Sequence, residues 1–214
     1  MSKVIIALSC SPSRGFNSDS MLDAFIKGAQ RLKGIEIEKI YLQDVPMDYY
    51  SYDNRLGPAP HETAFAELAN KIMRADGLII ATPTYNFSVP AHLKNFIDRI
   101  RFIALDMTKK NMMGQPTGML GHLQVHFLVS GGTPWWAQKM LFFAFPPFWL
   151  RGVFLYYGAH CLGSIYTGDV KAFENEKFLA RCTKRGKEFA KHLFGKPCTT
   201  RFWNNFFWRT PQRS

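Results

Sequence analysis

Residues 77–98 read GLIIATPTYNFSVPAHLKNFID, and their pattern decides the fold class. Gly77 to Thr82 is apolar without alternation, the signature of a strand buried on both faces of a parallel sheet. Pro83 to Pro90 is a loop bounded by prolines. A helix follows, predicted from Ala91 to about Phe102. Strand, loop and helix in that order make one βαβ step, whose connections are short and right-handed.

The rest of the chain repeats the step. Lys3 to Leu8 (KVIIAL) is a second doubly buried run, followed by a helix from Asp19 to about Leu32, where Met21, Leu22, Phe25, Ile26 and Ala29 recur at helical spacing. Ile35 to Leu42 alternates apolar and polar residues, as a more exposed strand does. Helical periodicity returns from Glu62 to Ala75. Leu123 to Val129 and His160 to Thr167 read as further strands, and Glu174 to Phe194 as the last helix. Five strands alternating with helices imply a doubly wound parallel sheet with helices on both faces, for which 2-1-3-4-5 is one common strand order. With 214 residues and no repeat or low-complexity linker, residues 1–195 are expected to form one domain and 196–214 a basic, aromatic tail.

Composition narrows the function classes. A net charge of +11, from 27 Lys+Arg against 16 Asp+Glu, attracts nucleic acid, anionic lipid or phosphate-bearing cofactors. No nucleic-acid-binding motif accompanies it, so no nucleic-acid partner is expected. Cys10, Cys161, Cys182 and Cys198 are widely separated, a spacing that suits neither zinc nor an iron–sulfur cluster. No metal is expected, and the thiols are expected to be reduced, as in the cytosol. The first strand begins too near Met1 for a signal peptide, and no apolar run is long enough to span a bilayer. A cytoplasmic protein is the expectation.

In an open α/β sheet, ligands bind beyond the carboxyl ends of the strands where the strand order reverses. The loops after the first, third and fourth strands therefore belong together. The first, Ser9 to Ser20, presents hydroxyls and N–H groups at a helix N-terminus without the lysine of a P-loop or the GxGxxG pattern. It suits a monoester phosphate, or serves as a helix cap through Asn17 or Ser18. The second holds Tyr85-Asn86-Phe87 between two prolines. Its aromatics can flank a planar ring, or Asn86 makes a left-handed turn with Phe87 tucked into the core. The third, Ser130-Gly131-Gly132, permits close backbone approach to a flat ligand, though paired glycines also mark ordinary turns.

Together these loops resemble the flavodoxin-like superfamily of quinone reductases, azoreductases and NAD(P)H-dependent FMN reductases. The matching text is Ser9-x-Ser11 with Ser18-x-Ser20, then Thr84 to Ala91 with Leu93-Lys94-Asn95 and Asp98, then Ser130-Gly131-Gly132. Trp149-Leu150-Arg151-Gly152 through Gly158 and Gly163 also resembles that family's passage into the fifth strand. The resemblance spans roughly residues 3–194 and implies a flavodoxin-like fold with bound FMN, NADH or NADPH as co-substrate, and a small quinone-like acceptor reduced by ping-pong hydride transfer. It implies that Ser9, Ser11, Ser18 and Ser20 surround the FMN phosphate. Pro83, Thr84, Tyr85, Asn86 and Phe87 would line the isoalloxazine ring, and Ser130, Gly131 and Gly132 its pyrimidine edge. Asp19 sits inside the phosphate loop, so its carboxylate is expected to point outward. Backbone N–H groups of Asn86, Gly131 and Gly132 are expected to face the ring. No side chain is assigned as catalytic, because the cofactor carries the chemistry.

Two readings on the same fold remain open: an electron carrier, against which the basic charge counts, and a flavin-free binding protein, for which Asp19 is the best support. Arg14, Lys139 and Arg151 are candidates to meet a 2′-phosphate of NADPH. The aromatic block 135–157 (Trp135, Trp136, Phe142, Phe143, Phe145, Phe148 and Trp149 among others) either roofs an acceptor pocket or packs in the core or across a homodimer interface. The tail, with aromatics between cations, packs on the protein or lies at a membrane surface.

Overall fold

A computed structural model of the chain describes residues 2–134, 136–137, 146–169 and 171–195. In chain order the elements are β1 (Lys3–Ser9), α1 (Asn17–Ala29), β2 (Ile35–Tyr41), α2 (Thr63–Arg74), β3 (Gly77–Pro83), α3 (Ala91–Arg99), α4 (Arg101–Ala104), β4 (Leu105–Lys110), β5 (Pro116–Gly118), β6 (Gln124–Ser130), α5 (Pro146–Tyr156), β7 (His160–Thr167) and α6 (Glu176–Phe194). The sheet order β2-β1-β3-β6-β7, parallel throughout, is the expected 2-1-3-4-5 when only the central strands are counted.

Successive side chains on a strand point to opposite faces, so each central strand feeds two cores. Ile5, Ala7, Ile79, Ala81, Leu128 and Ile165 meet Phe25 and Met21 of α1 and Phe189 and Leu193 of α6. Ile6, Leu8, Leu78, Ile80, Val125 and Phe127 meet Phe65 of α2, Phe96 of α3 and Phe154 of α5. This two-sided burial is why the β1 and β3 segments show no polar alternation. β2, at the edge, alternates half-buried Ile35 and Ile37 with exposed Glu36 and Glu38.

α1 and α6 touch backbone to backbone. A Cβ added to Gly28 would lie 1.9 Å from the Thr183 carbonyl oxygen, and one added to Gly186 would lie 1.9 Å from that of Phe25. Both positions must be glycine for the helices to approach this closely.

The structure differs from the sequence reading between residues 100 and 118. The helix predicted to Phe102 breaks at Ile100 and restarts as α4, and a short antiparallel hairpin, β4–β5, follows where no element was expected. Gly118 seats this hairpin against the end of α5, because a Cβ there would come within 2.5 Å of the Tyr157 carbonyl carbon. The aromatic block divides: Phe154 and Tyr157 are buried and Trp149 packs on the core, whereas Trp136 and Phe148 are exposed. The expectations for Trp135, Lys139, Phe142, Phe143, Phe145, Cys198 and the tail fall outside the described residues.

Candidate functional site

The loops after β1, β3 and β6 converge on a cleft of about 300 Å³. Ser11, Ser13, Phe16, Asn17, Ser18, Pro83, Thr84, Tyr85, Ser130, Gly131 and Gly132 line it. It lies at the switch point of the sheet, where β1 has β2 on one side and β3 on the other. Backbone bonds fix the spacing: Cys10 N–H donates to Ala81 O at 2.8 Å, and Thr84 N–H to Ser130 O at 2.7 Å.

The first loop is organised by Asp19, and here the expectation of an outward carboxylate is corrected. Asp19 is 2% exposed. It accepts from Ser9 Oγ at 2.8 Å and from the Gly15 N–H at 2.8 Å, and Lys39 Nζ of β2 lies 2.9 Å away. Burial opposes its charge, but the bonds from Lys39, Gly15 and Ser9 outweigh that and hold the carboxyl below its ordinary value. The physical reason for the inward direction is position. Asp19 is the third residue of α1, where a carboxylate can reach back to a preceding N–H and where the helix dipole favours negative charge. Ser9 is spent on Asp19 and Ser20 on the Gly15 carbonyl, so neither lines the cleft.

Among the described residues no side-chain cap bond is made at Phe16, the residue that opens α1. Asn17, one of the two capping candidates, instead accepts from the Phe173 N–H and donates to the Asp169 carbonyl, both at 3.3 Å. The N-terminal end of α1 therefore faces the cleft with Ser11 and Ser18 beside it, an arrangement that attracts an anion.

The second loop is a two-residue reversal. Tyr85 and Ser88 exchange backbone bonds at 2.9 and 2.8 Å, with Asn86 at φ 50° and Phe87 at φ 61°. Two consecutive positive φ values define a type I′ turn, which Asn tolerates and Phe does not favour. Phe87 is 59% exposed, so it is not tucked into the core. Asn86 and Phe87 stand at the tip of the turn, outside the cleft lining. Thr84 Oγ1 is buried at the cleft and has no partner among the described residues, a donor and acceptor left for a ligand.

The two glycines of the third loop differ. A Cβ on Gly131 would lie 2.8 Å from the Tyr166 hydroxyl, which itself donates to Thr133 O at 2.8 Å. A Cβ on Gly132 would meet nothing within 4 Å. The Gly131 N–H donates to Thr167 O at 2.9 Å, so it cannot face a ligand as expected. The β6–β7 ladder runs one residue further than β6 itself and consumes that donor.

Ser13, Phe16 and Asn17 are lining residues that the sequence reading did not assign; their signal was membership of the same hydroxyl-rich loop. Arg14 is stacked 4.2 Å over the Tyr41 ring and paired with both carboxylate oxygens of Asp44, which occupies the guanidinium that was a candidate for a 2′-phosphate. Asp48, His61 and Glu62 bring three ligand atoms within 4.8 Å of one another, but Glu62 is held by Arg99 and by the Asp48 and Ala59 N–H groups.

The residues 4–133 match the family model described as NADPH-dependent FMN reductase. The FMN-dependent NADH:quinone oxidoreductase of Mycoplasma pneumoniae is 31% identical over 187 residues, covering 81% of this chain and 88% of that protein. Its counterpart in Metamycoplasma arthritidis is 32% identical over 208 residues, covering 88% and 100%. Among solved structures, the azoreductase AzrA superposes with a TM-score of 0.66 at 15% identity, over 87% of this chain and 98% of that one.

Proposed function

The chain belongs to the NADPH-dependent FMN reductase family, and from that premise we propose that it is an FMN-dependent enzyme that oxidises NADH and reduces a quinone-type acceptor. The observation that carries the reading is the cleft at the sheet's switch point, with an uncapped helix end and serine hydroxyls on one side and an unpartnered buried hydroxyl on the other. Those groups fit FMN. Ser11 and Ser18 would hold the phosphate with the N-terminal N–H groups of α1. Thr84 and Tyr85, with Pro83 behind them, would border the ring, and Ser130 and Gly132 would meet its polar edge. Ser9, Asp19 and Ser20 keep the phosphate loop in shape, and Gly131 lets Tyr166 stand beneath the third loop. Asn86 and Phe87 flank the mouth.

FMN, when bound, supplies hydride-transfer chemistry. The chain's own part is to orient the ring, to stabilise charge on its polar edge through the Gly132 N–H, and to leave one face open at the turn of Tyr85–Ser88. Donor and acceptor then use that face in turn, which gives parallel lines in double-reciprocal kinetics. The inward Asp19 removes the main objection to flavin binding.

A homodimer is the assembly we propose, supported by exposed apolar side chains on the long loop between β2 and α2 and on the β4–β5 hairpin: Tyr49 at 82%, Leu56 at 75% and Met112 at 82%. We place the protein in the cytoplasm; among the described residues no helix is long and apolar enough to cross a membrane.

The test is a visible absorbance titration with FMN, followed by anaerobic NADH and then a quinone. Bound flavin that bleaches with NADH and recovers with quinone supports the enzyme. Bound flavin that NADH leaves oxidised would make the protein an electron carrier, and failure to bind flavin would sink both readings.

A further inference from the structure

The loop after β6 is pinned on both sides of one glycine. Ser130 O accepts from the Thr84 N–H at 2.7 Å, and the Gly131 N–H donates to Thr167 O at 2.9 Å. Beyond the glycine, the Thr133 carbonyl accepts from the Tyr166 hydroxyl at 2.8 Å. The same carbonyl lies against Gly168, where an added Cβ would come within 2.2 Å of its oxygen. Only glycine at 168 leaves room for that approach. Gly132, between the two anchors, is different. Among the described residues its N–H has no acceptor, a Cβ on it would meet nothing within 4 Å, and it lines the cleft.

Tyr166 belongs to β7 and is not a lining residue of the cleft. It is half-buried, packs against the core beneath the sheet and faces Val129 of β6 in register. Its hydroxyl therefore reaches the loop from an element whose own position is set by the sheet. The bond is made by a side chain, so it can be removed without disturbing the ladder that holds Ser130 and Gly131. Reduction of a flavin builds negative charge on its polar edge, which nearby protein donors tune. An N–H fixed in direction before that charge develops stabilises it without reorganising, and so acts more strongly on the reduced form than on the oxidised one.

We propose that Tyr166 is a positioning residue of the reaction: by anchoring the Thr133 carbonyl it fixes the Gly132 N–H as a donor to the cleft, and so raises the affinity for reduced FMN relative to oxidised FMN. The inference rests on the FMN reading above.

The experiment is an anaerobic titration of the full chain and of Tyr166→Phe with oxidised FMN and with dithionite-reduced FMN. The expected result is near-equal affinity of the two proteins for oxidised FMN and at least ~5-fold weaker binding of reduced FMN by the variant, since hydrogen bonds to charged groups are the stronger ones. Equal weakening of both forms would make Tyr166 merely structural and overturn the proposal, as would unchanged affinities for both. Wild-type chain that binds neither form defeats the FMN reading itself, and the proposal with it. Amide hydrogen exchange in the wild-type chain reads the proposal even if Tyr166→Phe fails to fold. The Gly131 amide should be protected with and without flavin, and the Gly132 amide should become protected when reduced FMN binds. A Gly132 amide that exchanges equally fast with and without reduced FMN overturns the assignment.

Discussion

Lys39 Nζ lies 2.9 Å from Asp19 Oδ1, joining the edge strand of the sheet to the third residue of the helix that borders the cleft. The side chain of Asp19 is 3% exposed, so this carboxylate is a buried hub for Ser9, Gly15 and Lys39 rather than a charge aimed at the ligand. Asp19→Ala leaves Ser9 Oγ and the Gly15 N–H without their acceptor and Lys39 with Asp23 alone. It is expected to cost about 3 kcal/mol of stability and to weaken flavin binding through loss of loop shape. Denaturant unfolding and flavin fluorescence titration check the two effects; unchanged stability would mean the hub is dispensable.

The Arg99–Glu62 pair fastens the long loop before α2 to α3. Its side chains are 0% and 1% exposed, and Arg99 also donates to the Asp48 carbonyl at 2.8 Å. Burial opposes the charge on Glu62, but Arg99 and the Ala59 and Asp48 N–H groups bring its pKa from 4.5 to about 2. A depressed carboxyl contributes stability that is present above 4.5 and is lost as pH falls toward 2. Glu62→Gln should lower stability at neutral pH by about 3–5 kcal/mol and flatten the acid limb between those values, as read by urea midpoints across pH.

His126 is set in the core between Phe25 and Phe189, with ring centroids at 4.9 and 5.9 Å. Burial first, and then the charge of Arg185, lowers its pKa from 6.5 to about 4. The unfolded chain therefore binds the proton more readily. His126 contributes stability that is complete above pH 6.5 and falls away as pH drops toward 4. The loss should reach about 3 kcal/mol. His126→Phe is expected to remove that part of the pH dependence; an identical slope in the variant would assign it elsewhere.

Gly131 and Gly132 should respond differently to alanine. Gly131→Ala sets a methyl 2.8 Å from the Tyr166 hydroxyl and should destabilise the fold, with partial recovery in Gly131→Ala/Tyr166→Phe. Gly132→Ala meets nothing within 4 Å in the protein. It should fold with near-normal melting temperature yet bind FMN at least ~10-fold more weakly, because its methyl enters the cleft. Equal melting temperatures for the two single variants would contradict the distinction.

The central fold was legible because β1 and β3 are buried on both faces, which leaves KVIIAL and GLIIAT without polar alternation. The three cleft loops were legible because the chemistry concentrates hydroxyls, aromatics and glycines at strand ends. The β4–β5 hairpin was hidden, since Asp106 to Lys110 are largely exposed, are polar apart from Met107, and carry neither period. The direction of Asp19 was hidden because its partner, Lys39, comes from a separate element, β2, and the anchor of the loop between β2 and α2 because Arg99 and Glu62 are 37 residues apart. Such pairs are set by tertiary packing, and local pattern holds no trace of them.

The backbone contact of Gly28 with Thr183 and of Gly186 with Phe25 has a consequence for the order in which the protein is made. α1, which presents its N-terminal end to the cleft, is seated against α6, which follows it much later in the sequence. A ribosome releasing the polypeptide from its amino end exposes the phosphate loop well before the helix that braces it. Cofactor capture should therefore await α6, and a chain stalled before residue 176 should have no competent site to fill.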